Sequence, residues 1–417
     1  SPRNAKQSFQ ACYKNESSRG VSVECSVTAP EGIEATVRKV GYVPMLNHTA
    51  QVPLEEQDGV GYTPGMVPDP LYPETRAATG PNGTQSFWIS LKVSAKIEPG
   101  IKPLTVRLKP TDSAEFVDLP VNIDVRPLTL KPRRDFPVTH WWNPDCIADY
   151  YRIEIYSDEW FELAEKYLQN MRDHGSDMIF IALFHNRYEV VERPTQMLDV
   201  KRIGPDRYSF DWTKVRRFVN MAKKCGFERF EWIYLWFMTI KPDGQIISAN
   251  RTVGVYEWKD GKAEMIFPRD YPATGEDYVT FLKQFLPELH RFVLEEDLLA
   301  DSMFHISDEP AGRPEDIENY RNVRELMSEL APWTDGKVGD AMSDIRYGKM
   351  GLIDYPIPNV QAAKQYIDEG IPHWVYYCCG PRGKYLNRFF DTPLAKIRMA
   401  GWLFYRHEAQ GFLHWGF

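Results

Sequence analysis

The chain has 417 residues, a formal net charge of −8 at pH 7 and a pI near 5.7, which excludes the clustered basic surface that nucleic acids require. No stretch approaches the roughly 18 to 20 apolar residues of a membrane-spanning helix, so we expect no membrane insertion. With 43% hydrophobic and 13% aromatic residues, the composition favours a globular protein that binds an uncharged substrate.

The N-terminal part reads as short β runs separated by turn residues such as Pro81-Asn82-Gly83. Several runs alternate in polarity, which is typical of strands with one buried face. The pattern predicts a β-sandwich domain over residues 1–135, closed by a Pro- and Arg-rich link at 127–137. The predicted strands lie at 21–27, 34–40, 86–93, 104–108 and 116–125.

After Pro137 the pattern changes to apolar strands that alternate with amphipathic helices. Parallel strands need helical crossovers, and strands buried on both faces are continuously apolar, so residues 136–417 predict a catalytic (β/α)8 TIM-like barrel. The eight predicted strands lie at 138–142, 178–184, 230–237, 303–306, 337–342, 352–355, 374–379 and 412–415.

Core-facing spacing of apolar residues predicts helices around Trp160, around Phe281 and after Pro314. The fifth helix of the barrel, around 345–350, is expected to be short. The chain ends directly after the eighth strand, so we expect a truncated chain whose barrel lacks its last helix.

The six cysteines show no CxxC pair and no spacing typical of zinc ligands. Cys12 and Cys25 either form a disulfide in an exported protein or remain free thiols. Sequons begin at Asn15, Asn47, Asn82 and Asn250, and they favour a secreted, periplasmic or cell-surface location over the cytoplasm. Residues 1–20 contain no apolar signal core.

The fourth predicted strand leads directly into Ser307-Asp308-Glu309-Pro310. Active sites of such barrels lie at the carboxyl ends of the strands, and repulsion between neighbouring carboxylates raises one pKa toward the range of a general acid. Asp308 and Glu309 are therefore the predicted catalytic residues.

A covalent barrel glycosidase commonly places a second carboxylate at strand seven, roughly 5 Å from the acid. The segment 373–381 contains no Asp or Glu, and Glu231 lies near the start of strand three. Asp354, expected to end strand six, is the remaining competitor. The missing partner favours catalysis in which a 2-acetamido group of the substrate is the nucleophile.

Several motifs together resemble glycoside hydrolase family 123, the β-N-acetylgalactosaminidases. They are Pro-Asp-Pro-Leu-Tyr-Pro at 68–73, Ser-Asp-Glu-Pro at 307–310, the strand-seven segment 374–381, Tyr-Leu-Asn-Arg-Phe-Phe-Asp at 385–391 and Gly-Phe-Leu-His-Trp-Gly at 411–416. The resemblance implies a β-sandwich before a barrel, and a retaining exo-enzyme that removes terminal β-linked N-acetylgalactosamine through an oxazoline. It assigns the acid/base to Glu309 and the orientation of the acetamido group to Asp308. The choice of galactosamine over glucosamine comes from the resemblance alone.

Other residues are predicted to contact the sugar because of their positions at strand ends. Alternate residues of a strand point to opposite sides, and only one of the two sets faces the barrel interior. On strand seven, one set contains Trp374 and Tyr376 and the other contains Tyr377. We favour Tyr377 as the residue that lines the site, together with Trp415. Asn387 either binds a hydroxyl or holds its own turn. The remaining candidates are His185 and Asn186 after strand two and Trp142 after strand one, whereas His305 is expected to be a satisfied interior residue.

Other functional classes remain open at this stage. A β-N-acetylglucosaminidase or another barrel glycosidase keeps the same carboxylates. A metal-dependent hydrolase is suggested by histidines beside the strands but lacks an H-x-H pair, and a non-catalytic carbohydrate-binding protein does not need the acidic pair. We expect no cofactor and no metal, and a glycan, glycolipid or glycoside as the partner; the sequence does not determine the oligomeric state.

Overall fold

The computed structural model describes residues 1–57, 63–184, 195–259, 262–268 and 270–416. The chain forms two compact units. One comprises Ser1–Arg134 and Phe389–Pro393, and the other comprises Asp135–Arg388 and Leu394–Phe417. Among the described residues, no helix is long and apolar enough to cross a membrane.

The described part of the first unit contains two four-stranded antiparallel sheets. Its strands are β1 (Lys6–Lys14), β2 (Val21–Thr28), β3 (Ile33–Met45), β4 (Gly65–Tyr72), β5 (Arg76–Thr79), β6 (Thr84–Val93), β7 (Gly100–Pro110) and β8 (Val117–Val125). The strand orders are β1-β6-β3-β4 and β5-β2-β7-β8.

A single hydrophobic core joins the two sheets of this unit. In β6, Phe87, Ile89 and Leu91 are buried at every second position, as the alternation in the sequence predicts. Cys12 in β1 and Cys25 in β2 are both free thiols, and burial raises the pKa of Cys25 to about 11. The disulfide alternative is therefore wrong for this structure.

The described part of the second unit contains both strands and helices. Its elements are β9 (Val138–His140), α1 (Pro144–Tyr151), α2 (Asp158–Asp173), β10 (Met178–Ile181), β11 (Asp199–Gly204), β12 (Arg207–Asp211), α3 (Thr213–Cys225), β13 (Arg229–Trp232), β14 (Trp236–Ile240), β15 (Ile246–Thr252), β16 (Val255–Lys259), β17 (Lys262–Phe267), α4 (Glu276–Glu295), β18 (Ser302–Phe304), α5 (Pro314–Leu330), β19 (Gly339–Ala341), α6 (Ile345–Lys349), β20 (Tyr355–Ile357), α7 (Ala363–Asp368), β21 (Val375–Tyr376), α8 (Leu394–Arg398), α9 (Ala400–Arg406) and β22 (Phe412–His414).

Parallel strands form the centre of this unit. Six of them pair in the order β18-β13-β10-β9-β22-β21, and β19 pairs with β20. Isolated parallel bridges join Phe304 to Val338 and Asn359 to Tyr376. The predicted barrel strands are thus present as a six-stranded and a two-stranded parallel sheet rather than as one continuous ladder.

Several predicted strand boundaries are wrong. The strand predicted at 178–184 ends at Ile181, and the one predicted at 374–379 ends at Tyr376. The third parallel strand ends at Trp232, and Trp236 begins the antiparallel hairpin β14–β15. The sixth begins at Tyr355, so Asp354 precedes this strand instead of ending it. The carboxylate of Asp354 accepts a hydrogen bond from the backbone N–H of Val338 at 2.9 Å and lies 3.7 Å from the Arg324 guanidinium, which explains its position.

The helices cover the parallel strands with their apolar faces. The Ser157 side chain accepts a hydrogen bond from the Trp160 backbone N–H and caps α2, and Pro314 occupies the first turn of α5 as the sequence predicts. Trp160 and Phe281 are fully buried, so the spacing of α2 and α4 is explained by one large core. The short fifth helix is α6, with five residues.

Candidate active site

Asp308 and Glu309 follow β18 and have opposite environments. Asp308 is buried, whereas Glu309 is exposed. Glu309 has a φ of 37°, a left-handed conformation that non-glycine residues rarely adopt and that is frequent at functional sites. The sharp turn at Glu309 therefore places two adjacent carboxylates in different surroundings.

The electrostatic environment of Asp308 disfavours its charged form. Burial raises the pKa of Asp308 well above its usual range, and the nearby charges of Glu309 and Asp340 raise it further. A hydrogen bond from the backbone N–H of Glu309 acts in the opposite direction. These surroundings thus favour the neutral form of Asp308.

Glu309 is hydrogen-bonded to a tyrosine on β21. The Tyr376 hydroxyl donates a hydrogen bond to Glu309 Oε1 at 2.6 Å. Burial and the charge of Glu309 raise the pKa of Tyr376, so the tyrosine remains a donor. Ser343 hydrogen-bonds to Tyr376 and receives a bond of 2.9 Å from the Asn359 amide, which fixes the tyrosine in turn.

A buried network of charged groups lies directly before the acidic pair in the chain. His305 hydrogen-bonds to Glu231 at 2.6 Å and to Asp340 at 2.9 Å. Burial acts to lower the pKa of His305, but the two carboxylates outweigh it and raise the pKa to about 9. Trp141 and Thr139 donate further bonds to Glu231, at 2.6 and 2.5 Å. His305 is a satisfied interior residue, as expected.

Asp340 connects this network to the turn that contains Asp308 and Glu309. Its carboxylate accepts hydrogen bonds from the backbone N–H groups of Ile306 and Ser307, at 3.1 and 3.3 Å. The Tyr320 hydroxyl also donates to Oδ2 of Asp340, at 2.6 Å. Asp340 therefore positions the two residues before Asp308. Sequence reasoning missed this role, although an acidic residue between Gly339 and Ala341 in a buried strand was a usable signal.

The structure reverses the predicted parity of strand seven. Tyr376 contacts Glu309, whereas Tyr377 packs on Phe412 with ring centroids 4.9 Å apart and near Phe404 at 6.4 Å. Neighbouring residues of a strand point to opposite faces, so Tyr377 belongs to the core beneath α9. Tyr376, and not the favoured Tyr377, is therefore the residue of this strand that contacts the acidic pair.

Three other predicted contacts have structural roles. The Trp142 ring is stacked on Trp160 and Phe218, and its indole N–H donates to the Phe180 carbonyl. The Asn387 amide donates to the carbonyls of Cys378 and Pro381, so this side chain holds its own loop. Trp374 is buried against Gly411, where a Cβ atom would lie 2.4 Å from the indole.

Trp415 is 46% exposed directly after β22, at the edge of the sheet where strand eight ends. It remains a candidate for sugar contact. His185 and Asn186 lie outside the described residues.

The arrangement supplies the parts of general acid–base chemistry. An exposed carboxyl that receives a tyrosine hydrogen bond can exchange a proton with a bound group, and a buried carboxylate beside it can accept a hydrogen bond and stabilise positive charge. In the described ranges, no group of three or more His, Cys, Asp or Glu residues is arranged to hold a metal ion.

Comparison with solved structures finds a similar fold over nearly the whole chain. A family 123 glycoside hydrolase from Clostridium perfringens, whose structural analysis concerns glycolipid glycan hydrolysis, shares 16% identity at a TM-score of 0.72. The match covers 99% of this chain and 72% of that chain. This likeness shows the fold.

Two other glycosidase structures are much less similar. A β-glucuronidase from Parabacteroides merdae matches at 10% identity and a TM-score of 0.34, over 98% of this chain and 47% of that chain. An endo-β-1,4-mannanase from Thermotoga petrophila matches at 11% identity and a TM-score of 0.37, over 69% and 68%. These scores carry no weight in the assignment. No curated protein matches the chain significantly.

The family assignment comes from the second unit. The model of the catalytic domain of glycoside hydrolase 123 matches residues 141–417, which is more than half of the chain and includes the Asp308–Glu309 turn. This match shows that the chain belongs to glycoside hydrolase family 123 and is a glycosidase.

Proposed function

We propose that the protein is a retaining exo-β-N-acetylgalactosaminidase that uses the acetamido group of its substrate as the nucleophile. The observation that carries this proposal is the turn after β18, where a buried and an exposed carboxylate are adjacent and carry different hydrogen bonds. Different environments give two carboxylates different roles in one reaction.

Glu309 is proposed as the general acid and then the general base. It is exposed to an incoming substrate, and the hydrogen bond from Tyr376 fixes its orientation. In the first step its proton moves to the glycosidic oxygen as the bond to the anomeric carbon breaks. In the second step Glu309 removes a proton from water, which opens the oxazoline.

Asp308 is proposed to orient the acetamido group. The acetamido N–H donates to the carboxylate, and the carbonyl oxygen forms the new bond to the anomeric carbon. The positive charge that develops on the ring being formed lies beside Asp308 and favours its ionised form. Because Asp308 is buried, this interaction is stronger than it would be in water.

The absence of a second carboxylate at strand seven supports substrate assistance. The segment 373–381 contains no Asp or Glu. Glu231 is fully buried and hydrogen-bonded to His305, Trp141 and Thr139, and Asp354 lies at the opposite end of its strand. These contacts support a structural role for both residues.

The substrate class rests on similarity. The motifs resemble the β-N-acetylgalactosaminidases of this family, and the Clostridium perfringens enzyme with the similar fold is described for glycolipid glycan hydrolysis. We propose a terminal β-linked N-acetylgalactosamine on a glycolipid or a related glycan. A substrate of this kind is consistent with an exported enzyme.

A complete (β/α)8 barrel is part of the proposal. The bridges between Phe304 and Val338 and between Asn359 and Tyr376 are parallel, and they link the six-stranded and two-stranded sheets at both ends. Closure of this kind would bring the strand-seven Tyr376 beside the strand-four turn, which agrees with the Tyr376–Glu309 hydrogen bond.

Matched p-nitrophenyl β-glycosides of N-acetylgalactosamine, N-acetylglucosamine and galactose test the proposal. We expect turnover of the first, weaker turnover of the second and none of the third, because galactose lacks the internal nucleophile. Reaction mixtures without enzyme provide the background rate. Efficient hydrolysis of the galactoside by the wild-type protein would contradict the proposed mechanism.

A further inference from the structure

A cavity of about 560 Å³ lies in the second unit, and its walls contain neither Asp308 nor Glu309. Its volume is within the roughly 300 to 1,000 Å³ of small-molecule sites. Most of the wall is formed by three connections, and Lys214 of α3 completes it. The first connection lies between α1 and α2, the second contains β11 and β12, and the third contains β16. These connections follow β9, β10 and β13, so they leave the same edge of the parallel sheet as the catalytic turn.

The apolar part of the wall is aromatic. Trp258 on β16 lines the cavity and is 41% exposed, whereas most of the large aromatic side chains of this unit are buried in its core. Phe210 on β12 and Tyr156 before α2 complete this part of the wall. The Tyr156 hydroxyl donates to the Thr195 carbonyl at 2.5 Å, which holds the ring in place. An exposed indole in a concave site is suited to the apolar face of a sugar ring.

The polar part of the wall offers both acceptors and donors. Asp199 and Lys214 form an ion pair at 2.8 Å. Hydrogen bonds from the side chain and the backbone of Thr213 lower the pKa of Asp211, and both reach Oδ1, which leaves Oδ2 open to a ligand within the described part of the chain. Glu154 and Lys201 also line the cavity.

The charges of the wall select for an uncharged ligand. The carboxylates of Glu154, Asp199 and Asp211 are opposed by the ammonium groups of Lys201 and Lys214. The opposite charges largely cancel, so the wall gives little net electrostatic attraction to an anion or to a cation. Neighbouring hydroxyl groups can donate to the carboxylates and accept from the lysines at the same time, and a sugar presents such pairs along one edge.

We propose that this cavity is a second glycan-binding site, separate from the catalytic pair, which holds uncharged sugar residues with Trp258 as the stacking surface. The inference rests on the proposed function, because a glycosidase binds its glycan substrate at this edge of the parallel sheet. The site increases the affinity for longer glycans and takes no part in bond cleavage.

Titration calorimetry with lactose, a neutral disaccharide without an acetamido group, tests the site. We expect binding to the wild-type protein, and a loss of about tenfold in affinity for Trp258→Ala, because the stacked apolar area is removed. Trp258→Phe should retain part of the affinity. Trp402→Ala is the matched control, because Trp402 is 71% exposed on α9 and lies outside the cavity.

Hydrolysis of p-nitrophenyl β-N-acetylgalactosaminide separates this inference from the proposed function. Trp258→Ala should keep the wild-type kcat/KM for this monosaccharide substrate. If the wild-type protein does not cleave this substrate, the proposed function is rejected. The second site is then tested separately by whether the wild-type protein binds lactose. If Trp258→Ala does not fold, Glu154→Ala replaces it as the test variant. It removes an exposed residue of the wall and should weaken lactose binding. Unchanged lactose affinity in both variants would overturn the inference, and so would an equal loss of aryl-glycoside hydrolysis.

Discussion

At the scale of single residues, the chemistry of the site depends on what surrounds two adjacent carboxylates. Asp308 is buried beside two other acids, and Glu309 is exposed and bonded to Tyr376. The sequence predicted the pair because it stands after an apolar strand. It left Tyr376 as the less favoured alternative to Tyr377, although Tyr376 contacts Glu309, because strand parity depends on a register that a segment as short as β21 does not specify.

Replacement of either carboxylate should lower kcat/KM, but the size of the decrease should depend on the leaving group only for Glu309. Glu309→Gln should reduce kcat/KM by about 10²- to 10⁴-fold for alkyl glycosides and much less for dinitrophenyl glycosides, which need no protonation. Asp308→Asn should reduce it by about 10²- to 10³-fold for both, because it acts on the acetamido group. Steady-state rates over a series of aryl leaving groups measure this difference. Parallel dependence in the two variants would contradict the division of roles.

The acidic limb of the pH profile should report Asp308. Its raised pKa means that the orienting carboxylate forms only above the usual range for aspartate, so activity should fall as the pH decreases through that raised pKa. Glu309→Gln removes a nearby negative charge and should move this limb to lower pH. The measurement is kcat/KM against pH with a dinitrophenyl glycoside, which the variant still cleaves. A limb that stays in place would show that Asp308 does not control it.

At the scale of elements, the turn after β18 is supported by the network in β13 and β19. Asp340 binds the backbone before Asp308, and His305 separates Asp340 from Glu231. Strand positions were predictable from apolar runs, whereas these polar links between strands were not, because they depend on which side chains meet in the interior. The displaced start of β20 has the same origin, since Asp354 bonds to Val338.

Removal of the His305 cation should destabilise the second unit. His305→Gln leaves the buried carboxylates of Glu231 and Asp340 without a charge partner, which should cost about 3–5 kcal/mol of the free energy of unfolding. Denaturant unfolding measures this cost. His174→Gln is the control, because His174 is exposed and its replacement should change the free energy by less than about 0.5 kcal/mol.

The same residue predicts a pH dependence of stability. The folded-state pKa of His305 is about 9, above its ordinary value of 6.5, so its contribution is complete below 6.5 and is lost as the pH rises through 9. The difference in unfolding free energy between wild-type protein and His305→Gln should therefore shrink between these values. A difference that is constant over this range would contradict a protonated His305.

At the scale of the whole molecule, the change of sequence pattern near residue 135 corresponds to two units with separate cores. The sequence could not show that Phe389–Pro393 groups with the first unit, because contacts between distant segments leave no periodic signal. Hydrogen bonds from Thr49 to Asp391, both at 2.7 Å, account for that grouping.

Core substitutions should act on the unit that contains them. Phe87 is fully buried between the sheets of the first unit, so Phe87→Ala should cost about 3–5 kcal/mol there. Calorimetry should show a lower unfolding temperature for one transition, and protein that remains folded should keep its kcat for an aryl glycoside. A proportional loss of kcat at a temperature where the variant is folded would contradict a structural role for Phe87.

The central claim is that the substrate's acetamido oxygen attacks the anomeric carbon, with Asp308 orienting the group. The most direct measurement is kcat/KM for p-nitrophenyl β-galactosaminides that carry N-acetyl, N-fluoroacetyl, N-difluoroacetyl and N-trifluoroacetyl groups. Fluorine withdraws electrons from the carbonyl oxygen, so we predict a steep decrease in rate with each added fluorine. Equal rates across the series, or a glycosyl group trapped on a side chain of the enzyme, would contradict the mechanism.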